Sequence, residues 1–156
     1  MAEDQIFLSR LFVKSYRIIK AMNSGYLANL GYQNFKIGHI MVLMNLEPEG
    51  SMTVDLAKKA KVSKQAMSKL VKELTAEGYL IAREHPHDHR ASLLFSTEKG
   101  EKFMGALKES RETVDANFSK VIGQERLHLL KEILTEIVDQ YEGQLPLNDS
   151  ILSSKL

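Results

Sequence analysis

The chain has 156 residues, of which 44% are hydrophobic and 26% charged, and its formal net charge is +1. This composition is typical of a single globular domain that can bury its own core. No apolar run reaches the roughly 18–20 residues that span a bilayer, and the N-terminus lacks a signal-peptide pattern. We therefore expect a soluble cytoplasmic protein without a membrane partner. The absence of cysteine excludes a disulfide framework, a thiolate nucleophile and a cysteine zinc finger.

The N-terminal part predicts two helices. Apolar residues recur at helical spacing over residues 4–22, on more than one side, which is typical of a helix buried by more than its own domain. We expect Gly25 to loosen the chain after this helix. A second helix is predicted over about residues 34–46.

Two short helices with recognisable caps follow. Thr53 is the predicted N-cap of a helix over residues 54–60, and Ser63 is the predicted N-cap of a helix over residues 64–77. Gly78 should end the second of them. The turn between them contains Lys61, and a positive φ there would cost lysine about 1 kcal/mol, which is tolerable.

A hairpin and two long helices complete the chain. Residues 79–84 and 91–97 read as two strands joined by a long tip, HPHDHR, with its proline outside the ladder. Long helices are then predicted over about residues 98–122 and 124–142. We expect the serine-containing tail after residue 142 to be frayed.

Two short capped helices, a three-residue turn and a hairpin together predict a winged helix-turn-helix. The second helix is narrow enough for the major groove of DNA, where lysine can meet phosphate or guanine and glutamine can pair with adenine. Residues 57–72 hold six lysines and no acid. An isolated helix of this kind would more often be a solvated surface, and its neighbours favour DNA binding. The candidate contacts are Ser63, Lys64, Gln65, Ser68, Lys69 and Lys72.

The hairpin contains the pattern Asp-x-Arg, at Asp88 and Arg90, followed by Thr-x-x-Gly, at Thr97 and Gly100. With this hairpin pattern, the stretch from residue 53 to residue 100 resembles the DNA-binding core of the MarR family of bacterial transcription regulators. The resemblance covers about residues 5–142. Ser96 stands where the family usually has an apolar residue.

This resemblance implies a mainly α fold with a small β-hairpin, in which long N- and C-terminal dimerisation helices flank a winged helix-turn-helix core. The expected parts are an N-terminal dimerisation helix (1–33), the DNA-binding domain (34–100), C-terminal dimerisation helices (101–142) and the frayed tail (143–156). It also implies a homodimeric repressor that binds double-stranded DNA at a pseudo-palindromic operator. In such a protein Arg90 would enter the minor groove and Asp88 would shape the hairpin tip. The alternative for these two residues is a surface ion pair of little energetic value.

Three alternating histidines at the tip, His85, His87 and His89, raise the question of a metal site. Pro86 and a turn near Asp88 argue against their convergence, so we predict no metal and no cofactor. Our hypothesis is that His87 and His89 border DNA phosphates, with protonation near pH 6 strengthening binding.

The resemblance also suggests a small aromatic or phenolic effector, bound between the dimerisation helices and the DNA-binding lobe. The candidate lining residues are Tyr16, Tyr26, Tyr32, Phe35 and His39, although each could instead belong to the core. A glycine-rich phosphate loop, a nucleophile elbow and a zinc-protease signature are all missing from the sequence, which argues against an enzyme. A winged helix that binds protein without specific DNA binding remains the alternative.

Overall fold

The structure is a computed structural model that describes residues 6–144, so the prediction of a frayed tail lies mostly outside the described residues. Within that range there are six helices and one two-stranded antiparallel sheet, which confirms the predicted mainly α class with a small hairpin. In chain order the elements are α1 (Leu8–Asn29), α2 (Ile37–Met44), α3 (Thr53–Ala60), α4 (Lys64–Ala76), β1 (Leu80–His85), β2 (Asp88–Ser96), α5 (Glu98–Ile122) and α6 (Gln124–Tyr141). No helix in this part of the chain has the length and apolar character needed to cross a bilayer.

Helix α1 is longer than the sequence predicts. Gly25 does not loosen it, and the helix continues to Asn29. A glycine in a helix interior costs only about 1 kcal/mol relative to alanine, so packing can outweigh it. The contacts are made with α5: Ser110 donates a hydrogen bond of 2.6 Å to the Asn23 side chain, and the Tyr26 hydroxyl donates one of 3.0 Å to Glu109.

The helix-turn-helix follows its local capping signals. The Ser63 hydroxyl accepts a hydrogen bond of 3.1 Å from the Ala66 amide, as expected of the N-cap of α4. Lys61 adopts the left-handed conformation, with φ 54° and ψ 42°, and ends α3. The predicted cap at Thr53 is wrong by one residue, because Thr53 is already helical and Met52 occupies the N-cap position.

The wing is a tighter hairpin than predicted. Strand β2 begins at Asp88, three residues before the predicted start, so that only Pro86 and His87 form the turn. The antiparallel register runs from Leu80 opposite Ser96 to Glu84 opposite Ser92. It then jumps, because His85 lies opposite Asp88. Residues 89–91 therefore bulge from β2, an irregularity that re-aims side chains.

The base of the wing explains the Thr-x-x-Gly spacing. The Thr97 hydroxyl accepts a hydrogen bond of 3.1 Å from the Gly100 amide, capping α5, and donates one of 2.7 Å to the Gly78 carbonyl. A Cβ atom at Gly100 would lie 2.5 Å from both the Tyr79 carbonyl oxygen and the Ser96 hydroxyl. Only glycine fits there, and the hairpin is thereby fixed to the start of α5.

An aromatic cluster joins the winged helix-turn-helix to α5. The rings of Phe35 and Phe103 stack with centroids 3.7 Å apart, and Tyr79 meets Phe35 edge-on at 5.0 Å. Tyr32 meets Phe103 edge-on at 5.2 Å. Phe103 is fully buried, as are Leu56, Met67 and Leu74 from α3 and α4. These contacts form one continuous core under the two short helices and the wing.

Apolar side chains of α1 and α6 stay exposed in the single chain. A protein of this size rarely leaves a contiguous apolar surface uncovered unless a partner binds there. In and just before α1 they are Ile6, Phe7, Leu8, Leu11, Phe12, Val13, Tyr16, Ile18 and Met22, and in α6 they are Leu129, Leu130, Ile133, Ile137, Val138 and Tyr141.

Candidate nucleic-acid interface

The outer face of α4 carries the polar side chains that the sequence singled out. Lys64, Gln65, Lys69 and Lys72 are exposed, and Ser68 is half-buried. The opposite face of the helix is buried, since Met67, Leu70, Val71 and Leu74 pack into the core. Helical periodicity therefore leaves the three lysines and the glutamine facing outwards together, where they line one shallow groove with Ser68 and Glu73. Ser63 caps this helix from just outside the groove.

At the wing tip, Asp88 organises the backbone rather than forming an exposed ion pair with Arg90. Its carboxylate accepts a hydrogen bond of 3.0 Å from the Arg90 amide, a local turn bond typical of aspartate. Arg90 lies in the bulge of β2 and is exposed, as is His87 in the turn. His89 forms a hydrogen-bonded pair with Glu84 across the hairpin. The tip thus presents the Arg90 guanidinium on a loop that the Asp88 hydrogen bond stabilises.

The tip histidines do not form a three-ligand set. The His85 Nδ1 atom accepts a hydrogen bond of 3.1 Å from the His87 amide, while His89 is engaged with Glu84. Across residues 6–144, no group of three or more histidine, aspartate or glutamate side chains is placed to hold a metal ion.

Behind the outer face of α4 lies a charged cluster that we call the trio: Lys36, His39 and Glu73. The Lys36 ammonium donates to both Glu73 carboxylate oxygens, at 2.9 and 2.8 Å. The Nδ1 atom of His39 accepts a hydrogen bond of 3.2 Å from the Lys36 amide. The proton of a neutral His39 ring therefore sits on Nε2, which donates to Glu73 over 2.7 Å.

The protonation states of the trio follow from these contacts. Burial lowers the pKa of His39 below its ordinary value of 6.5, and the nearby Lys36 charge acts in the same direction, while Glu73 opposes the shift. Hydrogen bonding from Lys36, with a smaller contribution from His39, lowers the pKa of Glu73. At neutral pH the cluster therefore holds an ionised glutamate between an ammonium and a neutral imidazole.

The structure brings together only part of the predicted effector pocket. Phe35 and His39 line a cavity of about 420 Å³ between the start of α2 and the second half of α4, together with Lys36, Glu73 and Tyr79. Tyr32 and Phe35 line a smaller cavity of about 180 Å³ against α1. Tyr16 and Tyr26 line neither of these two cavities. Much of Phe35 is also committed to the aromatic core.

Comparison with known proteins identifies the architecture. Residues 33–91, from just before α2 into β2, match the sequence model described as the MarR family. Wild-type MarR from E. coli has the same fold, with a TM-score of 0.64 at 18% sequence identity, over 87% of this chain and 99% of that one. The resemblance to the MarR family is confirmed.

Two further solved structures share the MarR fold over most of their length. A MepR mutant from S. aureus, bound to an oligodeoxyribonucleotide, has a TM-score of 0.60 at 20% identity, covering 87% of this chain and 99% of that one. The MarR-family protein Rv2887 of Mycobacterium tuberculosis, in complex with salicylic acid, has a TM-score of 0.60 at 19% identity, covering 86% and 98%. Among curated proteins, none matches this sequence.

Within this MarR fold, the sequence analysis named His39 only as a candidate pocket residue and missed its association with Lys36 and Glu73. Lys36 and Glu73 are 37 positions apart, and helical periodicity places Glu73 merely at the edge of the outer face of α4. One signal was available: a helix otherwise lined with lysines carries an acid directly after Lys72. An acid at the edge of a basic face predicts a basic partner that neutralises its charge.

Proposed function

We propose that this protein is a homodimeric, sequence-specific DNA-binding transcription regulator. It would repress transcription from a pseudo-palindromic operator and be released by a small-molecule effector. The observation that carries the proposal is the outer face of α4, where three lysines and a glutamine project together beside a wing that carries Arg90. The oligonucleotide bound to the MepR mutant, which has the same fold, supports this direction.

Each element has a role in the proposed complex. The α4 helix lies in the major groove, where Gln65 reads a base edge and Lys64, Lys69 and Lys72 contact phosphate or guanine. The hydroxyls of Ser63 and Ser68 contact either the sugar-phosphate backbone or a base edge. Arg90 enters the minor groove, whose narrow regions concentrate negative potential. His87 and His89 lie next to phosphates, and Asp88 keeps the tip in the shape that aims Arg90.

The exposed apolar faces of α1 and α6 support a second copy of the chain as the partner. A symmetric dimer would use the same two helices from each copy and cover both faces at once. In this arrangement α1, α5 and α6 form the dimerisation part, and residues 34–100 form the DNA-binding part. Two recognition helices would then lie roughly one turn of DNA apart, about 34 Å, which requires an operator with two related half-sites.

For effector release, the cavity between α2 and α4 is the better candidate than a pocket built from all five predicted residues. Phe35 and Tyr79 supply aromatic walls, and Lys36, His39 and Glu73 supply polar groups. A molecule bound there would contact α4 directly and could favour a conformation that does not fit DNA. The salicylic acid complex of Rv2887 supports a small aromatic effector as the class to test first.

The test is selection of bound sequences from random duplex DNA, with and without small aromatic acids and phenols. We expect enrichment of an inverted repeat with half-sites about 10 base pairs apart, and a binding constant that falls steeply with salt. Recovery of a single half-site would contradict the dimer. A protein that enriches no sequence, and whose weak binding to DNA varies little with salt, would instead be a protein-interaction module.

A further inference from the structure

We propose that Lys36 and His39 are positioning residues for DNA binding, which act by holding Glu73 and so fixing the rotation of the recognition helix α4 against α2. This inference rests on the proposed function, and it adds two residues that do not touch DNA in the proposed complex. Its basis is the geometry of the trio, in which one carboxylate of α4 receives three hydrogen bonds from the start of α2.

The position of Glu73 on α4 makes it suited to this role. It follows Gln65 by eight residues and Lys69 by four, so the three side chains lie in one row along the helix. Glu73 also borders the groove lined by Lys64, Ser68 and Lys72. Any rotation of α4 at Glu73 therefore moves the base-reading glutamine by a corresponding amount.

The rest of the attachment of α4 is less directional. Its inner face consists of Met67, Leu70, Val71 and Leu74, which restrain rotation only through the shape of their packing, because the hydrophobic effect itself has no direction. Hydrogen bonds between charged groups are short and angle-dependent. The trio is partly buried, with Glu73 and Lys36 more accessible than His39. The trio therefore adds a directional restraint on the rotation of α4 to the restraint that the packed core already provides.

The trio also neutralises an acid beside a phosphate-binding surface. Without its partners, Glu73 would present a negative charge next to Lys69 and Lys72 and repel DNA. This electrostatic effect can be separated from positioning, because the two predict opposite changes in DNA affinity for Glu73→Gln. If Glu73 acted only through its charge, Glu73→Gln would strengthen binding to every DNA sequence. If Glu73 positions the helix, the same variant binds its operator more weakly.

The experiment measures affinity for the selected operator and for a random duplex of equal length, for the full-length protein and its variants. We expect Glu73→Gln and Lys36→Met each to lower the ratio of operator to random affinity by about fivefold to tenfold. The double variant should lose no more than the more affected single variant, because both changes remove the same restraint. Additive or mutually cancelling effects would overturn the proposal.

Two further variants keep the result interpretable. Glu73→Asp preserves the charge but shortens the side chain, so positioning predicts a lower ratio and simple electrostatics predicts no change. Glu77→Gln removes the same charge from the exposed end of α4 and should leave the ratio unchanged. Thermal unfolding and dimer mass confirm that each variant is folded. A lower ratio of operator to random affinity in Glu77→Gln as well, or an unchanged ratio in Glu73→Asp, would overturn the positioning role. A wild-type protein that selects no operator would instead overturn the proposed function.

Discussion

Two surfaces of this molecule face solvent in the single chain, and they differ in kind. The outer face of α4 is polar and basic, and water solvates it well. The faces of α1 and α6 are apolar, with large side chains such as Leu11 and Ile133 each 46% exposed. The first surface is stable without a partner, whereas the second carries a free-energy penalty of hydration that a partner would remove.

The difference shows how the two proposed interactions should respond to conditions. Binding through α4 and the wing should weaken steeply with salt, because it depends on releasing counterions from DNA. Association through α1 and α6 should depend little on salt, since it depends on burying apolar area. The variants below are chosen to affect one surface at a time.

The largest effect is expected for the double variant Leu11→Glu and Ile133→Glu, which places charges on the apolar faces of α1 and α6. Burial of a large apolar side chain contributes about 1.5–3 kcal/mol, and a symmetric dimer buries each one twice. The dissociation constant of the dimer should therefore rise by at least about 100-fold. Sedimentation equilibrium would measure it, and operator affinity should fall with it.

Ile81→Glu is the matched control for this variant. Ile81 is 44% exposed in β1, away from both apolar faces, so the same change there should leave the dimer intact. Because all three positions are already accessible in the single chain, the substitutions should not unfold the monomer. A double variant that still sediments like the wild type would show that α1 and α6 do not form the interface.

Arg90→Ala tests the polar surface alone. Loss of a minor-groove guanidinium should weaken operator binding by about tenfold and leave the dimer unchanged. Arg83→Ala is the control, since it removes the same charge from β1, where the guanidinium lies 5.0 Å from the centre of the Phe95 ring. Equal losses in a gel-shift titration would mean that the wing contributes only net charge.

Features set by near neighbours in the chain could be predicted from the sequence. The cap predicted at Ser63 depends on an amide three residues away, and the structure has it, whereas the cap predicted at Thr53 lies one residue earlier, at Met52. The condition considered for Lys61 is met, because its φ is positive. A turn or cap is decided by a few adjacent residues, so its signal survives without knowledge of the tertiary fold.

Features set by distant contacts could not be predicted from the sequence. The end of α1 depends on contacts such as that of Asn23 with Ser110, 87 positions later. The trio needs α2 to lie against α4, and neither helix sequence specifies that contact. The tight wing tip depends on a register jump that hydrophobic alternation does not encode. For the site, the sequence identified the exposed face of α4 but not the ion pair between Lys36 and Glu73 behind it.

Gln65→Ala should produce a smaller and more selective change than Arg90→Ala. A glutamine that pairs with adenine contributes roughly 1–3 kcal/mol of discrimination against other bases. The variant should therefore lose preference at one position in each half-site while keeping most of its affinity for random DNA. Lys72→Ala is the contrasting control, with a uniform loss and a salt slope reduced by about 1. Selection from random DNA distinguishes the two patterns, and a uniform loss in Gln65→Ala would remove its base-reading role.

The smallest effect concerns the attachment of α4 and its dependence on pH. Because the pKa of His39 is lowered by burial in the folded protein, the unfolded chain takes up its proton first as the pH falls through about 6.5. The stability that neutral His39 contributes is therefore present at pH 7.5 and declines towards pH 5.5. His39→Asn keeps an acceptor near the Lys36 amide but cannot titrate, so the difference between the urea midpoints of the wild type and the variant should shrink as the pH is lowered. The other four histidines are present in both proteins and cancel in this comparison. A difference that stays constant from pH 7.5 to 5.5 would show that His39 protonation does not affect the attachment of α4.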